Sequence, residues 1–178
     1  MSLLKDYLDT YGILACNTTK YLPGLEDIGC DWGDAMDLIN SHELFYSKAY
    51  RKRTTYLSIE AYFLLKNIRS PKPIDETSRN IIGLLEDNGT LDMKTLKTLC
   101  GSEMFSKAFA FLLKNMYITA LKEWKPLNPN WSEFCYCTAE TWERCVKKPE
   151  MPEDCDERLR EILLKSMTEK EYIKFIRG

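Results

Sequence analysis

Residues 45–58 read FYSKAYRKRTTYLS, and they hold the strongest chemical signal in the chain. Lys48, Arg51, Lys52 and Arg53 stand among Tyr46, Tyr50 and Tyr56 with no acid between them. Lysine and arginine neutralise phosphates, and tyrosine adds stacking or a hydrogen bond, so this composition fits an arm that binds a nucleic-acid backbone. The competing reading is a charged edge strand, where basic side chains block unwanted pairing. The other reactive residue types are poorly placed for catalysis. His42 is the only histidine, and it sits in SHELF at a helix end, where the dipole favours it. Cys135-x-Cys137 brackets one residue, whereas zinc sites bracket two to four and need four ligands, so no metal site is expected. No G-x-S-x-G, P-loop or G-x-G-x-x-G occurs, and neither a catalytic residue nor a cofactor is assigned. Asp31, Asp34 and Asp37 share a helix face and read as solvated acids near the N-terminal dipole. With Glu26, Asp27 and Glu43 they are also candidates to pair with the basic run.

Charge is segregated early in the chain. Residues 1–44 carry two basic groups against eight acids, while residues 45–69 carry six against Glu60 alone; the whole chain is at -2. That balance does not announce a nucleic-acid binder, whose domain usually reads strongly basic. A hydrophobic fraction of 44% over 178 residues is enough to fold one compact unit. No apolar run reaches the about 20 residues of a membrane span, and the N-terminus has no secretory h-region. Seven cysteines at irregular positions make no disulfide framework, so a reducing cytoplasm is expected.

The elements that would position the basic run follow from caps and breakers. Leu3, Leu4, Tyr7, Leu8 and Tyr11 predict a helix ended by Gly12, followed by a loop through NTTKYLPGLEDIGC. Asp31 caps a helix through Ile39, the basic segment is extended or a hairpin, and Ser58 caps IEAYFLLKNI, which SPKP stops. After this boundary IDETSRNIIGLLEDN is a helix, Thr90-Leu91 a short strand, and Asp92 caps MKTLKTLC. Ser102 is expected to cap EMFSKAFAFLLKNM; MYITALKEW and WSEFCYCTA are strands parted by a KPLNPN loop. Two further helices end the chain, joined near Ser166-Met167-Thr168.

Helix, short strand, helix, helix and hairpin is the element order of a winged helix. The expected fold is therefore α+β and mainly α. It divides into 1–73 as a helical N-terminal segment with the basic stretch, 74–138 as the winged unit and 139–178 as C-terminal helices. The third helix of such a unit usually enters the major groove. Here its polar face offers Glu103, Ser106, Lys107, Ala110 and Lys114, too little Arg, Asn or Gln for base readout. Lys122 and Lys125 of the wing suit phosphate contact.

The stretches DWGDAMDLIN, LFYSKAYRKRTTYLSIEAYFLLKNI, NIIGLLEDNGTLDMKTLKTLCG and FSKAFAFLLKNMYIT together resemble the winged-helix proteins related to AlkZ. That group includes bacterial DNA glycosylases that remove alkylated or crosslinked bases. The glycosylases use a Gln-x-Asp or Gln-x-Gln motif, and this chain contains no glutamine, so no position inherits that role. The resemblance implies a reduced relative without the chemistry. The function expected is non-catalytic binding of double-stranded DNA, mostly by backbone contact, linked to DNA repair. Lys48, Arg51, Lys52, Arg53, Lys107, Lys122 and Lys125 are the contact residues. The alternative is a protein-interaction or dimerisation module that presents Phe105, Phe109, Trp124 or Trp131 to a partner or second copy. A glycosylase-type enzyme ranks third.

Overall fold

A computed structural model describes residues 2–178. Helix α1 (Leu3–Tyr11) begins where the Ser2 hydroxyl accepts from the Lys5 amide and ends at Gly12 in left-handed geometry. Strand β1 (Ile13–Ala15) follows inside the stretch expected to be loop. Three buried residues show no alternation, so the pattern could not reveal it. Asp31 caps α2 (Trp32–Asn40) in a reciprocal capping box with Asp34. The basic segment is a hairpin of β2 (Phe45–Tyr50) and β3 (Arg53–Leu57). Its two turn residues, Arg51 and Lys52, both have positive φ (50° and 58°), the geometry that matches a two-residue turn to strand twist. The three strands form an antiparallel sheet in the order β1-β3-β2. Ser58 caps α3 (Ile59–Ile68) as expected.

The second half runs α4 (Glu76–Asn88), β4 (Leu91–Asp92), α5 (Met93–Cys100), α6 (Phe105–Lys114), β5 (Ile118–Asn128) and β6 (Trp131–Thr138). Its sheet has the order β4-β6-β5, with β6 antiparallel to both neighbours. Asp92 caps α5, but Ser102 does not cap α6. Its hydroxyl accepts from the Met104 amide at 3.1 Å, one turn early, and the helix starts at Phe105 without a side-chain cap. The expected KPLNPN loop is also shorter than read. Strand β5 continues through Asn128, and pairing resumes with Trp131 opposite that residue. A short unexpected helix, α7 (Ala139–Glu143), follows; α8 (Cys155–Leu163) and α9 (Glu169–Arg177) are the two terminal helices. No helix among the described residues is long and apolar enough to cross a membrane.

Strand β2 separates two cores. Alternation along a strand sends successive side chains to opposite faces. Tyr46 therefore joins a cluster with Trp32, Phe109, Phe134 and Tyr136, while Phe45 joins Tyr62, Trp142, Tyr172 and Phe175. Trp142 is fully buried and meets Phe45 edge-on at 5.0 Å. The two sheets are tied by a buried hydrogen bond in which the Thr119 hydroxyl donates to the Tyr46 carbonyl at 2.8 Å. Arg69 acts as a second clamp. Its guanidinium donates to the carbonyls of Phe175 (3.0 Å), Ala49 (3.1 Å) and Lys114 (3.4 Å), joining α3 to α9, β2 and α6. Burial lowers its pKa to about 10.

Candidate nucleic-acid interface

The basic hairpin divides its charges between two sides. At the turn, Arg51 donates through Nε to Glu171 Oε2 (2.9 Å) and through Nη2 to Oε1 (2.7 Å), a forked ion pair. Glu171 on α9 is 3% exposed and also accepts from the Tyr50 hydroxyl at 3.2 Å. The Arg51 hydrogen bonds hold its carboxyl below the usual range despite desolvation. The guanidinium lies 5.3 Å from the Tyr21 ring centre. Arg51 is therefore neutralised, but by an acid 120 residues away rather than by the acids of 26–43. Four of those acids are engaged locally. Asp31 and Asp34 cap α2, Asp27 accepts from the Gly24 amide and the Thr18 hydroxyl, and Glu43 accepts from Ser41. Among the described residues none of them forms an ion pair with the basic run. Lys52 and Arg53 are exposed beside the same turn.

Lys48 faces the other way, next to Tyr46, into a cleft of about 580 Å³ between β2, α5, α6 and the β5–β6 hairpin. The walls are Tyr46, Phe105, Phe109, Trp131, Phe134 and Tyr136; Lys94 and Lys97 of α5 line it with Lys48. None of these three lysines has an ion-pair partner among the described residues. Two acids reach the cleft, Asp92 and Glu133. Asp92 is committed to the α5 cap, accepting from the Thr95 amide (3.0 Å) and hydroxyl (2.6 Å), and those bonds lower its pKa. Glu133 stands opposite Lys125 in the β5–β6 register.

The cleft wall is braced from behind. Trp131 stacks on Trp32 with ring centres 5.8 Å apart and planes 19° from parallel. The Trp32 indole donates to the Ser132 hydroxyl at 3.1 Å, which in turn donates to Glu123. The Glu123 amide donates to Asn40 at the end of α2 (2.8 Å). Helix α2 thus fixes the outer half of the hairpin, from Glu123 to Trp131 beside its turn. Burial pushes the Tyr46 and Tyr136 hydroxyls up, so both stay neutral and can donate.

The other expected contact residues lie outside this cleft. Lys107 is exposed on α6 beside Ser106, Lys122 pairs in register with Cys135, and Lys125 is exposed nearer the hairpin tip. Phe105 and Phe109, expected to be available to a partner, are only 2% and 5% exposed. Helix α6 packs on α4 along one side and on β2 along another, which covers them. Trp124 (57%) and Trp131 (53%) do face solvent. His42 follows α2 with φ 60°, its amide bonded to Ile39 O at 3.1 Å. All seven cysteines are free, and burial pushes the Cys137 thiol up to about 12, which makes it a poor nucleophile. No group of three or more His, Cys, Asp or Glu among the described residues could hold a metal ion.

Lys94 and Lys97 were missed in the sequence. Their i, i+3 spacing in MKTLKTLC puts both on one helix face, but nothing local shows that β2 brings Lys48 to the same cleft.

A family model described as AlkZ related matches residues 26–177. The chain belongs to the AlkZ-related family. No curated protein and no solved structure matches it. The matched region runs from just before α2 through α9, so this AlkZ-related chain carries both hairpins and the whole cleft inside the family segment. The chain still has no glutamine with which to build the catalytic motif of the glycosylases it resembles.

Proposed function

We propose that this AlkZ-related chain is a non-catalytic winged-helix protein that binds DNA mainly by backbone contact, with the α5–α6–hairpin cleft as its centre. The order α4-β4-α5-α6-β5-β6, with β4 pairing the outer side of β6, supports the winged-helix reading of residues 74–138. In that reading α6 is the recognition helix, yet β2 covers one flank and leaves Ser106, Lys107 and Ala110 as its exposed positions. A helix so covered cannot sink its side chains into a major groove. Phosphate contact remains. The single observation that carries the proposal is the convergence of Lys48 from one sheet with Lys94 and Lys97 from α5 on one cleft, none of them ion-paired among the described residues. Lys52, Arg53, Lys107, Lys122 and Lys125 add contacts around this centre. Arg51 contributes least, because its charge is held by Glu171. A cytoplasmic setting belongs to the same reading, given seven free thiols.

The test is fluorescence anisotropy of a labelled duplex with wild type, a K48A/K94A/K97A variant and an R51A/K52A/R53A variant. The cleft variant should lose about tenfold or more at low salt, since each lost phosphate contact removes counterion release. The turn variant should lose less. Unchanged affinity of the cleft variant would reject the proposal. A second reading is favoured by Trp124 and Leu127, exposed by 57% and 48% on the same hairpin. A dimer seen by light scattering, and lost in W124S/L127S, would make the hairpin a protein-interaction surface.

A further inference from the structure

We infer that the cleft holds an unpaired base of single-stranded DNA, stacked on Trp131, while Lys48, Lys94 and Lys97 hold the flanking phosphates. This rests on the DNA-binding reading above and narrows its ligand. An intact duplex keeps its bases stacked inside and offers the protein phosphates, sugars and groove edges. None of these fills a cavity walled by aromatic rings. An unstacked base does, because every base has a flat apolar face that can lie on an aromatic side chain.

The cleft is built for such an occupant. Trp131 is already held flat by Trp32 on one side and remains 53% exposed, so its ring is an ordered platform before any ligand arrives. That preorganisation removes part of the ordering cost of binding. Tyr136, buried in the wall and edge-on to Phe109 at 4.9 Å, makes no side-chain hydrogen bond through its hydroxyl among the described residues. It is free to meet a polar edge of the base. The volume of about 580 Å³ lies within the range of about 300–1,000 Å³ usual for ligand sites. Charge decides the class of ligand. Three lysines face the cleft against two acids, and one of those acids, Asp92, is tied to its helix cap. Three free cations around an aromatic slot match a polyanion with planar bases, and a neutral peptide or lipid chain would leave them unpaired.

The experiment compares a labelled oligothymidylate, a duplex of equal length and an oligouridylate against wild type, W131A and W131F, with thermal unfolding of each variant as the folding control. Wild type should prefer the DNA single strand to the duplex by several-fold, with quenched tryptophan emission. Stacking on one aromatic predicts that W131A weakens single-strand binding by about five- to hundredfold. Its duplex affinity should fall clearly less than its single-strand affinity, because Trp131 makes no phosphate contact in this account. W131F should retain most of the preference. Equal or tighter duplex binding, an unchanged W131A, or tighter binding of the RNA strand would each overturn the inference while leaving nucleic-acid binding standing. Failure to bind any of the three would overturn the DNA reading itself.

Discussion

Gly12 offers the sharpest test of the packing that fixes the basic hairpin. It ends α1 with φ 74°, donates its amide to Leu8 O (2.8 Å) and accepts at its carbonyl from the Ser58 amide (2.9 Å), where β3 hands over to α3. A Cβ placed there would lie 2.6 Å from Ile162 Cγ2, 3.0 Å from Leu163 Cδ2 and 3.3 Å from Ala61 Cβ. Two costs follow for Gly12→Ala. A non-glycine residue in left-handed backbone costs about 1–2 kcal/mol, and overpacking adds about 1–3 kcal/mol. The second term should be realised, since Ile162 is β-branched and its Cγ2 cannot swing away without a change of χ1. The sum is about 2–5 kcal/mol, or about 4–20 °C in Tm for a chain of this size. Gly101→Ala is the control. Gly101 has φ 62° and ends α5, but the nearest atom to its added Cβ is Thr98 O at 4.0 Å, so only the backbone term of about 1–2 kcal/mol applies. Urea unfolding followed by circular dichroism gives both values. Equal losses for the two variants would refute the claim that α8 presses on the end of α1.

Three further outcomes are expected. Thr119→Val keeps the shape of the side chain but leaves the Tyr46 carbonyl without its buried donor, and should cost about 1–3 kcal/mol in urea unfolding. Glu171 has a depressed carboxyl pKa, so its contribution is full at neutral pH and is lost as pH falls below the ordinary carboxylate range; Glu171→Gln should therefore flatten the acid limb of a Tm-against-pH profile. Lys48→Ala should weaken duplex binding several-fold in anisotropy titrations, while Arg51→Ala stays within about twofold, since Arg51 is already paired and Lys48 is not.

Much of this fold is legible one element at a time. Asp31, Ser58 and Asp92 cap helices because a short acceptor side chain before an apolar run satisfies orphan amides locally. The hairpin at 45–57 and the two terminal helices follow from equally local patterns. What depends on distant residues was not legible. Strand β1 is three buried residues that gain their identity from β3. The partner of Arg51 lies on α9, beyond any local charge count. Phe109 stacks on Phe105 one turn away and meets Tyr136 of β6 edge-on, a partner that no local pattern in α6 reveals. The cleft shows the same limit. Lys48 was identified, but Lys94 and Lys97 join it through tertiary packing alone.

The most direct test of the central claim is the salt dependence of duplex binding, with log affinity plotted against log salt for wild type and for K48A/K94A/K97A. If the three lysines neutralise three phosphates, the wild-type slope should be steeper than about −2, and the variant should lose about 2–3 of that slope. Parallel lines of equal slope would contradict the account, because they would place the phosphate contacts somewhere other than the cleft.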